Sequence, residues 1–584
     1  MKVSDYLVEF FISKGITDVF GYPGGMVTHL MNSFAKHAGQ ISAHVTYHEQ
    51  AAAFAACGYA QISGKVGVAY ATSGPGATNL ITGICNAYFD SIPVIFITGQ
   101  VNSNELSGQY KVRQRGFQET DIVSMVTSVT KCAVRLEDPE KIQYEIEKAY
   151  EKATSGRPGP VLLDICMDVF RADIEINPAV HNSSNEDRNH IVDINSVCNQ
   201  LSKELQTAKC PVFLIGAGIK CANKEKEIKK ALEKIEIPVV SSMISFDVMP
   251  DNPHYYGFVG AYGTRTANFI VAKSDLIITI GSRLDIRQVG AKRENFAPNA
   301  KIIRYDIDMG ELSYKVHSNE IQHCIDIDAL VKVLNRVKLT PKPAWLAMCE
   351  AIKKTLSKID TNRANEIVEK LSKLIPPEAV ITTDVGQNQV WVVQSFKMKK
   401  NQKVLFSGGL GSMGYSLPAA IGAYYGSGKR PVWCFSGDGG IQMNIQELQY
   451  LARENIPVKI IVLNNNSLGM IRQFQEIYFE SRYFQTVPRG GYNAPDFAKV
   501  AKAYGIKGET VDAVDVDNIA WAEGPELYDI HIDGNTYVTP KLEFGKPNQD
   551  QAPYIDRKLY GKMMNMKAED FSELKCGGGG FEVK

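Results

Sequence analysis

Neither sign of charge is in excess along this chain of 584 residues, in which Lys plus Arg and Asp plus Glu each number 64. Such a balance gives no electrostatic reason to expect a nucleic-acid or anionic-membrane partner. A local site can still take an anionic substrate. Long apolar runs are missing too, so no membrane-spanning segment is expected. The start, Met1-Lys2-Val3-Ser4-Asp5-Tyr6-Leu7, passes straight into an amphipathic helical pattern. It lacks the basic, apolar and small-residue succession of a secretory signal. The 11 cysteines contain no C-x-x-C pair. That argues against structural zinc and for reduced thiols in a cytoplasmic protein. No short-period repeat is visible.

What is present is a chain too long for one hydrophobic core, with length for three or four domains. Apolar runs such as 66–70, 93–97 and 161–165 alternate with helical patterns in a first unit, residues 1–172. A polar connection that includes Asn182-Ser183-Ser184-Asn185-Glu186-Asp187 reads as a linker. A second unit, 190–338, carries runs at 211–215, 276–280 and 301–305; a third, 360–545, carries runs at 380–384, 431–435 and 458–463. Continuous apolar strands between helices predict α/β architecture, with three doubly wound parallel-sheet domains covered on both faces. The charged stretch 224–232 reads as a solvated helix face. A tail, 546–584, has few apolar runs, and its Gly577-Gly578-Gly579-Gly580 is expected to be disordered.

Three stretches carry chemistry. Gly437-Asp438-Gly439-Gly440 follows a buried strand; a helix and a second buried strand ending in Asn464-Asn465-Asn466 come next. Ligands bind at such strand ends in open parallel sheets. Glycines let backbone N–H groups approach phosphate oxygens, and Asp438 with Asn465 offers hard oxygen ligands suited to Mg²⁺. Read alone, the same residues also suit two ordinary turns. Glu49 opens an Ala-rich, buried helix, either complementing its dipole or serving as an acid in an apolar site. Gly408-Gly409-Leu410-Gly411-Ser412-Met413-Gly414 precedes an apolar helix and implies backbone close to a ligand or tight packing. Met413 on its own reads as a gap-filler.

Taken together, these features resemble the thiamine diphosphate enzymes, and within them the acetolactate synthase large subunits. The resemblance runs from Gly21-Tyr22-Pro23-Gly24-Gly25 to about residue 545. It also rests on Ser73-Gly74-Pro75-Gly76, Phe117-Gln118-Glu119 and Gly156-Arg157-Pro158-Gly159-Pro160, in the family's order. It implies a pyrimidine-binding first domain, an FAD-type central domain and a diphosphate-binding third domain. Asp438 and Asn465 would bind Mg²⁺ by side chain and Ser467 by its carbonyl. Gly386, Gln387, Asn388, Gly437, Gly439 and Gly440 would line the diphosphate, with Met470 also at the cofactor. Asn388 stands where the family usually has histidine and can still donate a hydrogen bond. Glu49 would hold a proton at N1′ of the aminopyrimidine, Gly411 would offer a carbonyl to its amino group, and Met413 would keep the cofactor bent. Gly25, Gln118 and Phe117 would face the substrate. FAD would use Arg157, Gly216, Gly218, Arg283 and Asp285, with no redox task in a carboligation. Arg287 would contact the carboxylate of a second 2-oxo acid. The glutamate would come from a partner subunit, so a dimer or tetramer is expected.

Beyond Asn388, several positions depart from that pattern around the acceptor side. Phe474 replaces a tryptophan, Met26 a small residue, Cys166-Met167-Asp168 the motif P-K-D, and Ile286 an acidic residue. The leading expectation is decarboxylation of a 2-oxo acid, pyruvate, with transfer of the fragment to an acceptor carbonyl. The alternatives are transfer of a two-carbon unit to a keto-sugar nucleotide, suggested by Thr539-Pro540-Lys541-Leu542-Glu543, simple decarboxylation, and a non-catalytic homologue. Glu49, Asp438 and Asn465 together argue against the last.

Overall fold

The structure is a computed structural model that describes residues 1–177, 192–357, 359 and 362–571. The Asn182–Asp187 linker and the Gly577–Gly580 run lie outside the described residues. No helix among the described residues is long and apolar enough to cross a membrane.

Among the described residues, eighteen strands form three parallel sheets of six. The first comprises β1 (Asp18–Gly21), β2 (Ser42–Val45), β3 (Gly67–Ala71), β4 (Val94–Gln100), β5 (Cys132–Leu136) and β6 (Val161–Cys166), in the order β2-β1-β3-β4-β6-β5. The second comprises β7 (Pro211–Ile215), β8 (Val239–Ser241), β9 (Tyr255–Phe258), β10 (Leu276–Ile280), β11 (Lys301–Asp306) and β12 (Ile321–Cys324), ordered β12-β11-β10-β7-β8-β9. The third comprises β13 (Val380–Thr383), β14 (Lys403–Leu405), β15 (Val432–Gly437), β16 (Val458–Asn464), β17 (Lys507–Asp512) and β18 (Glu526–His531), ordered β14-β13-β15-β16-β18-β17. The first and third sheets therefore repeat one topology. The second has the order 3-2-1-4-5-6 of dinucleotide-binding sheets.

The chain divides into two compact units. One holds residues 1–187, 374–389 and 401–535, and thus the first and third sheets. The other holds 188–373, 390–400 and 536–584, with the second sheet.

In the first unit one apolar core runs from sheet to sheet. Its centre is the contact between helix Glu49–Ser63 and helix Ser416–Gly426. Both are rich in Ala and Gly and apolar on nearly every face, so each can be buried all round. Small residues also let the backbones touch. A methyl on Gly422 would lie 2.6 Å from the Ala55 carbonyl carbon, and one on Gly58 2.9 Å from that of Ala419.

In the second unit the strands show why continuous apolar runs were needed. Phe213 and Ile215 of β7 enter one core, while Val212 and Leu214 enter another on the opposite face. Successive side chains alternate, so a sheet covered on both sides needs apolar residues at every position. The charged stretch near 224 forms helix Glu225–Glu233, which buries only Ile228, Ala231 and Leu232. Much of the tail belongs to this unit's core. Ile555, Met563 and Ala568 pack beside Trp345 and Ile352.

Candidate active site

In the third sheet the chain passes from β13 out to the edge and returns at β15, so the loops after these strands part and leave a crevice. Gly386-Gln387-Asn388 leaves β13, and Gly437-Asp438-Gly439-Gly440 leaves β15. The Asn388 side-chain nitrogen lies 3.1 Å from where a Cβ on Gly386 would sit, and 3.3 Å from the same point on Gly437. Any larger residue in either loop would crowd this amide. Asn465 to Ser467 follow β16, the neighbouring strand.

Asp438 is buried, and its Oδ2 accepts from the Ser467 N–H at 2.9 Å and the Tyr492 hydroxyl at 3.0 Å. Burial pushes its carboxyl up to about 6, with those hydrogen bonds pulling the other way. Asn465 donates from Nδ2 to Gln387 Oε1 at 2.8 Å, which leaves its amide oxygen for another partner. Gly469 must be small here, since a Cβ would stand 2.9 Å from that Nδ2.

In the loop after β13, buried Gln387 Nε2 and Asn388 Oδ1 have no hydrogen-bond partner. Unpaired buried groups cost free energy, so such a cluster marks a place for a ligand. The Gln387 amide N–H can donate to a phosphate oxygen, whereas Asn388 Oδ1 is an acceptor. No cluster of three His, Cys, Asp or Glu side chains able to hold a metal exists among the described residues. A cation here would rely on Asp438 plus amide, backbone and phosphate oxygens, the incomplete protein shell that Mg²⁺ accepts. The residues therefore fit a magnesium-bridged diphosphate.

The Gly408–Gly414 loop closes one side. Asp384, wholly buried at the end of β13, accepts from the N–H groups of Gly414 and Ser416, both at 2.9 Å, and from Ser416 Oγ at 2.8 Å. Burial raises its pKa and these bonds oppose the rise. Met413 Cε lies 3.0 Å from where a Gly439 Cβ would stand, so the thioether overhangs the Gly437–Gly440 loop. Gly411 has φ 75° and open space at its Cβ position. Met470 is half-buried in the first turn of helix Gly469–Tyr478. Phe474, one turn on, lies 4.7 Å from the Tyr478 ring centre and 5.9 Å from that of Phe479.

The first sheet repeats the crevice with different side chains. Gly24 and Gly25 follow β1, and Thr72 to Gly76 follow β3. Glu49, after β2, is 8% exposed and accepts from Asn79 Nδ2 at 2.9 Å. A Cβ on Gly76 would lie 3.3 Å from Glu49 Oε1, and one on Gly24 2.6 Å from Thr72 Cγ2. Gln118 sits against Gly74 with φ 65°, a left-handed conformation that a side chain adopts only under constraint. Phe117 is 78% exposed. At the old P-K-D position, Asp168 accepts the Ser103 N–H at 2.9 Å.

Of the remaining expected residues, Arg157 is in this unit and donates from Nε to Ser91 Oγ at 2.8 Å. The others belong to the second unit. Gly216 and Gly218 follow β7 at its switch point, pressed against the loop after β10; a Cβ on Gly218 would meet Gly281 Cα at 2.8 Å. Close-approaching glycine loops at that place fit a dinucleotide diphosphate. Arg283 gives its carbonyl to Arg304. Asp285 caps the turn Ile286–Val289 through the Arg287 N–H at 2.8 Å. Arg287 is exposed, 5.9 Å above the Tyr262 ring.

The sequence reading left out Tyr492, Asp384 and Asn79. Asp384 had a signal, being a carboxylate at the end of an apolar strand. The others depend on contacts made across long stretches of chain.

Comparison with known proteins follows the same division. The models described as thiamine pyrophosphate enzyme, N-terminal TPP binding domain, central domain and C-terminal TPP binding domain match residues 1–125, 198–334 and 384–521 respectively. The acetolactate synthase isozyme 2 large subunit of Escherichia coli (strain K12) is 35% identical over 561 residues, covering 94% of this chain and 99% of that protein. A probable acetolactate synthase large subunit of Methanocaldococcus jannaschii is also 35% identical, covering 91% of this chain and 92% of its own length. The acetolactate synthase large subunit of Lactococcus lactis subsp. lactis is 35% identical, with 93% and 94% covered.

Proposed function

The chain belongs to the thiamine pyrophosphate enzyme family, and from that premise we propose that it decarboxylates pyruvate and joins the two-carbon fragment to a second 2-oxo acid, forming an acetolactate-type product. It is a carboligase of the acetolactate synthase kind. The observation that carries the reading is the meeting of Asp438, Asn465, Ser467 and the unpaired Gln387 amide at one strand-end crevice.

Bound thiamine diphosphate would supply an electron sink for loss of CO₂. The chain's own residues do the rest. Asp438, Asn465 and the Ser467 carbonyl hold Mg²⁺, and Gln387, Asn388 and the glycine loops hold the diphosphate. Glu49 holds a proton at the pyrimidine N1′. Met413 and the Gly411 carbonyl fix the ring system, and burial around Glu49 keeps water away from the reacting carbon. Gly25, Phe117 and Gln118 face the donor, and Phe474 the acceptor.

FAD would be held at the second sheet's switch point by Gly216, Gly218, Arg283 and Asp285; the strand order of that sheet supports this. The enzyme works as a homodimer or tetramer. Exposed Phe89, Leu410 and Met443 border the Gly408–Gly414 loop, an apolar margin suited to a second copy.

The test is carbon NMR of labelled pyruvate with enzyme, Mg²⁺ and thiamine diphosphate. Rapid build-up of acetolactate is expected. No consumption of pyruvate would remove the donor assignment, and consumption without acetolactate would remove the acceptor.

A further inference from the structure

Asp438 is the one carboxylate among the residues placed at the cation, so the way it presents its two oxygens bears on which ions the site accepts. A carboxylate oxygen has about two lone-pair directions. At Oδ2 both are engaged, by the Ser467 N–H at 2.9 Å and by the Tyr492 hydroxyl at 3.0 Å. Oδ1 is therefore the oxygen left to meet a cation. Tyr492 reaches this place on the segment 486–494, which lies over the loop after β16. The Thr486 carbonyl accepts from Ser467 Oγ at 2.9 Å and from the Leu468 N–H at 3.1 Å. The Ala494 N–H donates to Asn466 Oδ1 at 2.8 Å. Between these two ties the chain turns back on itself. The Tyr492 N–H donates to the Val487 carbonyl at 3.1 Å, and Gly491 takes φ 104°, a conformation that glycine adopts without strain. A side chain on Gly490 would strike the Tyr483 carbonyl. The turn leaves the Tyr492 ring half-buried, its hydroxyl 3.5 Å from where a Cβ on Gly439 would stand. One segment thus holds residues 466–468 and Asp438 together. All of these groups belong to the third sheet's domain of one chain, so the arrangement is complete whichever subunit supplies Glu49.

We propose that Tyr492 is a positioning residue that holds Asp438 to ligation through one oxygen and so favours Mg²⁺ over Ca²⁺. The inference rests on the reading of Asp438 as a metal ligand given above. Mg²⁺ demands near-octahedral geometry with short single contacts, whereas Ca²⁺ takes about six to eight oxygens and accepts both oxygens of one carboxylate. Partners of this kind orient a ligand and tune the ion it holds. Without the phenol, one lone pair of Oδ2 is released. The carboxylate can then turn, which loosens its hold on Mg²⁺ and offers both oxygens to Ca²⁺. A tyrosine that only packed the segment would leave the preference between the two ions unchanged.

The test titrates MgCl₂ and CaCl₂ separately into the full-length enzyme, stripped of metal by a chelator and supplied with thiamine diphosphate, and reads each Kd by calorimetry. For Tyr492→Phe, which removes one oxygen and keeps the ring, the Kd for Mg²⁺ is expected to rise about tenfold, the size of loss that follows when a metal ligand's hydrogen-bond partner is removed. The Kd for Ca²⁺ should stay near its wild-type value or fall, so the preference for Mg²⁺ drops about tenfold. A preference that falls by less than about threefold overturns the proposal, whether both ions bind normally or both are weakened alike. Should Tyr492→Phe not fold, Gly490→Ala decides. It displaces the turn that carries the phenol and should shift the same ratio in the same direction; an unchanged ratio overturns the proposal. An Asp438→Ala enzyme that binds Mg²⁺ like wild type would instead defeat the placing of the metal, and the inference with it.

Discussion

A single methyl group at Gly422 should damage this protein more in activity than in stability. Helices Glu49–Ser63 and Ser416–Gly426 touch backbone to backbone, and an alanine Cβ at 422 would stand 2.6 Å from the Ala55 carbonyl carbon and 2.8 Å from the Tyr59 nitrogen. Carbon atoms pack at about 3.5 Å or more, so the helices must part by roughly 1 Å. Both opposing atoms are backbone, so no rotamer change can relieve the contact. Overpacking of this kind costs about 1–3 kcal/mol, offset by about 1 kcal/mol from the better helix propensity of alanine. A net loss of about 0–2 kcal/mol is expected in the unfolding of the unit that holds both sheets. Glu49 starts one helix and Met413 sits three residues before the other, so parting the helices shifts each group away from the site it is expected to share with a partner subunit. Parting the helices by that distance should lower kcat by up to about 100-fold. Gly561→Ala is the control: it lies in helix Arg557–Asn565, and its Cβ would meet nothing within 4 Å. That variant should gain about 0.5–1 kcal/mol and keep full activity. The assays are denaturant unfolding followed by tryptophan fluorescence, and pyruvate consumption. A Gly422→Ala enzyme with wild-type stability and turnover would refute the argument that this contact sets the site.

Glu49→Gln should lower kcat at least about 100-fold while binding of thiamine diphosphate, measured by calorimetry, stays within a few-fold. Removing divalent cation with a chelator should abolish turnover and Mg²⁺ should restore it, whereas Asp438→Ala should stay inactive at any practical Mg²⁺ concentration. A buried ion pair offers a pH test of stability. Burial alone would raise the Glu526 carboxyl, but hydrogen bonds from Lys507 and Lys459 hold it down at about 2. Its folded pKa lies below the ordinary value of 4.5, so its contribution is full above pH 4.5 and is lost as pH falls toward 2. Glu526→Gln should therefore cost about 2 kcal/mol at neutral pH, a deficit that shrinks across that window in acid-unfolding curves.

Every strand read from the sequence is interior, whereas the unread ones are the edge strands together with the interior β1, β8 and β18. Runs such as 161–165, 211–215 and 458–463 became β6, β7 and β16, which are interior and buried throughout. The six edge strands, β2, β5, β9, β12, β14 and β17, gave no such run. Lys507–Asp512 shows the reason: it alternates exposed and buried residues and carries Lys507, Glu509 and Asp512. An edge strand faces solvent along one side, so polar residues are tolerated and even protective there. The tail was read as separate because Ile555 and Met563 are isolated in sequence, and only folding onto the second unit brings them into one core.

The site was legible where chemistry is local and opaque where it is not. Asp438 and Asn465 announce themselves because glycine loops and hard ligands at the ends of adjacent strands need only short spacings. Asn79 beside Glu49 and Tyr492 on Asp438 arise from topology. The first and third sheets share the order 2-1-3-4-6-5, so each opens its crevice between its first and third strands. In one, that crevice carries Gly24, Thr72 and Gly76 beside Glu49; in the other, it carries Gly386, Gln387 and Asp438. The two have the same scaffold and unlike side chains, one set suited to a heterocycle and a proton, the other to phosphate and a cation. A duplicated fold presents both kinds of group, but it does not align them. With the glutamate expected from a partner subunit, alignment depends on contact between subunits as well as on the paired helices that fix the two sheets of one chain to each other. The glycines of those helices look unremarkable in an alanine-rich sequence. Their importance follows from what lies opposite them.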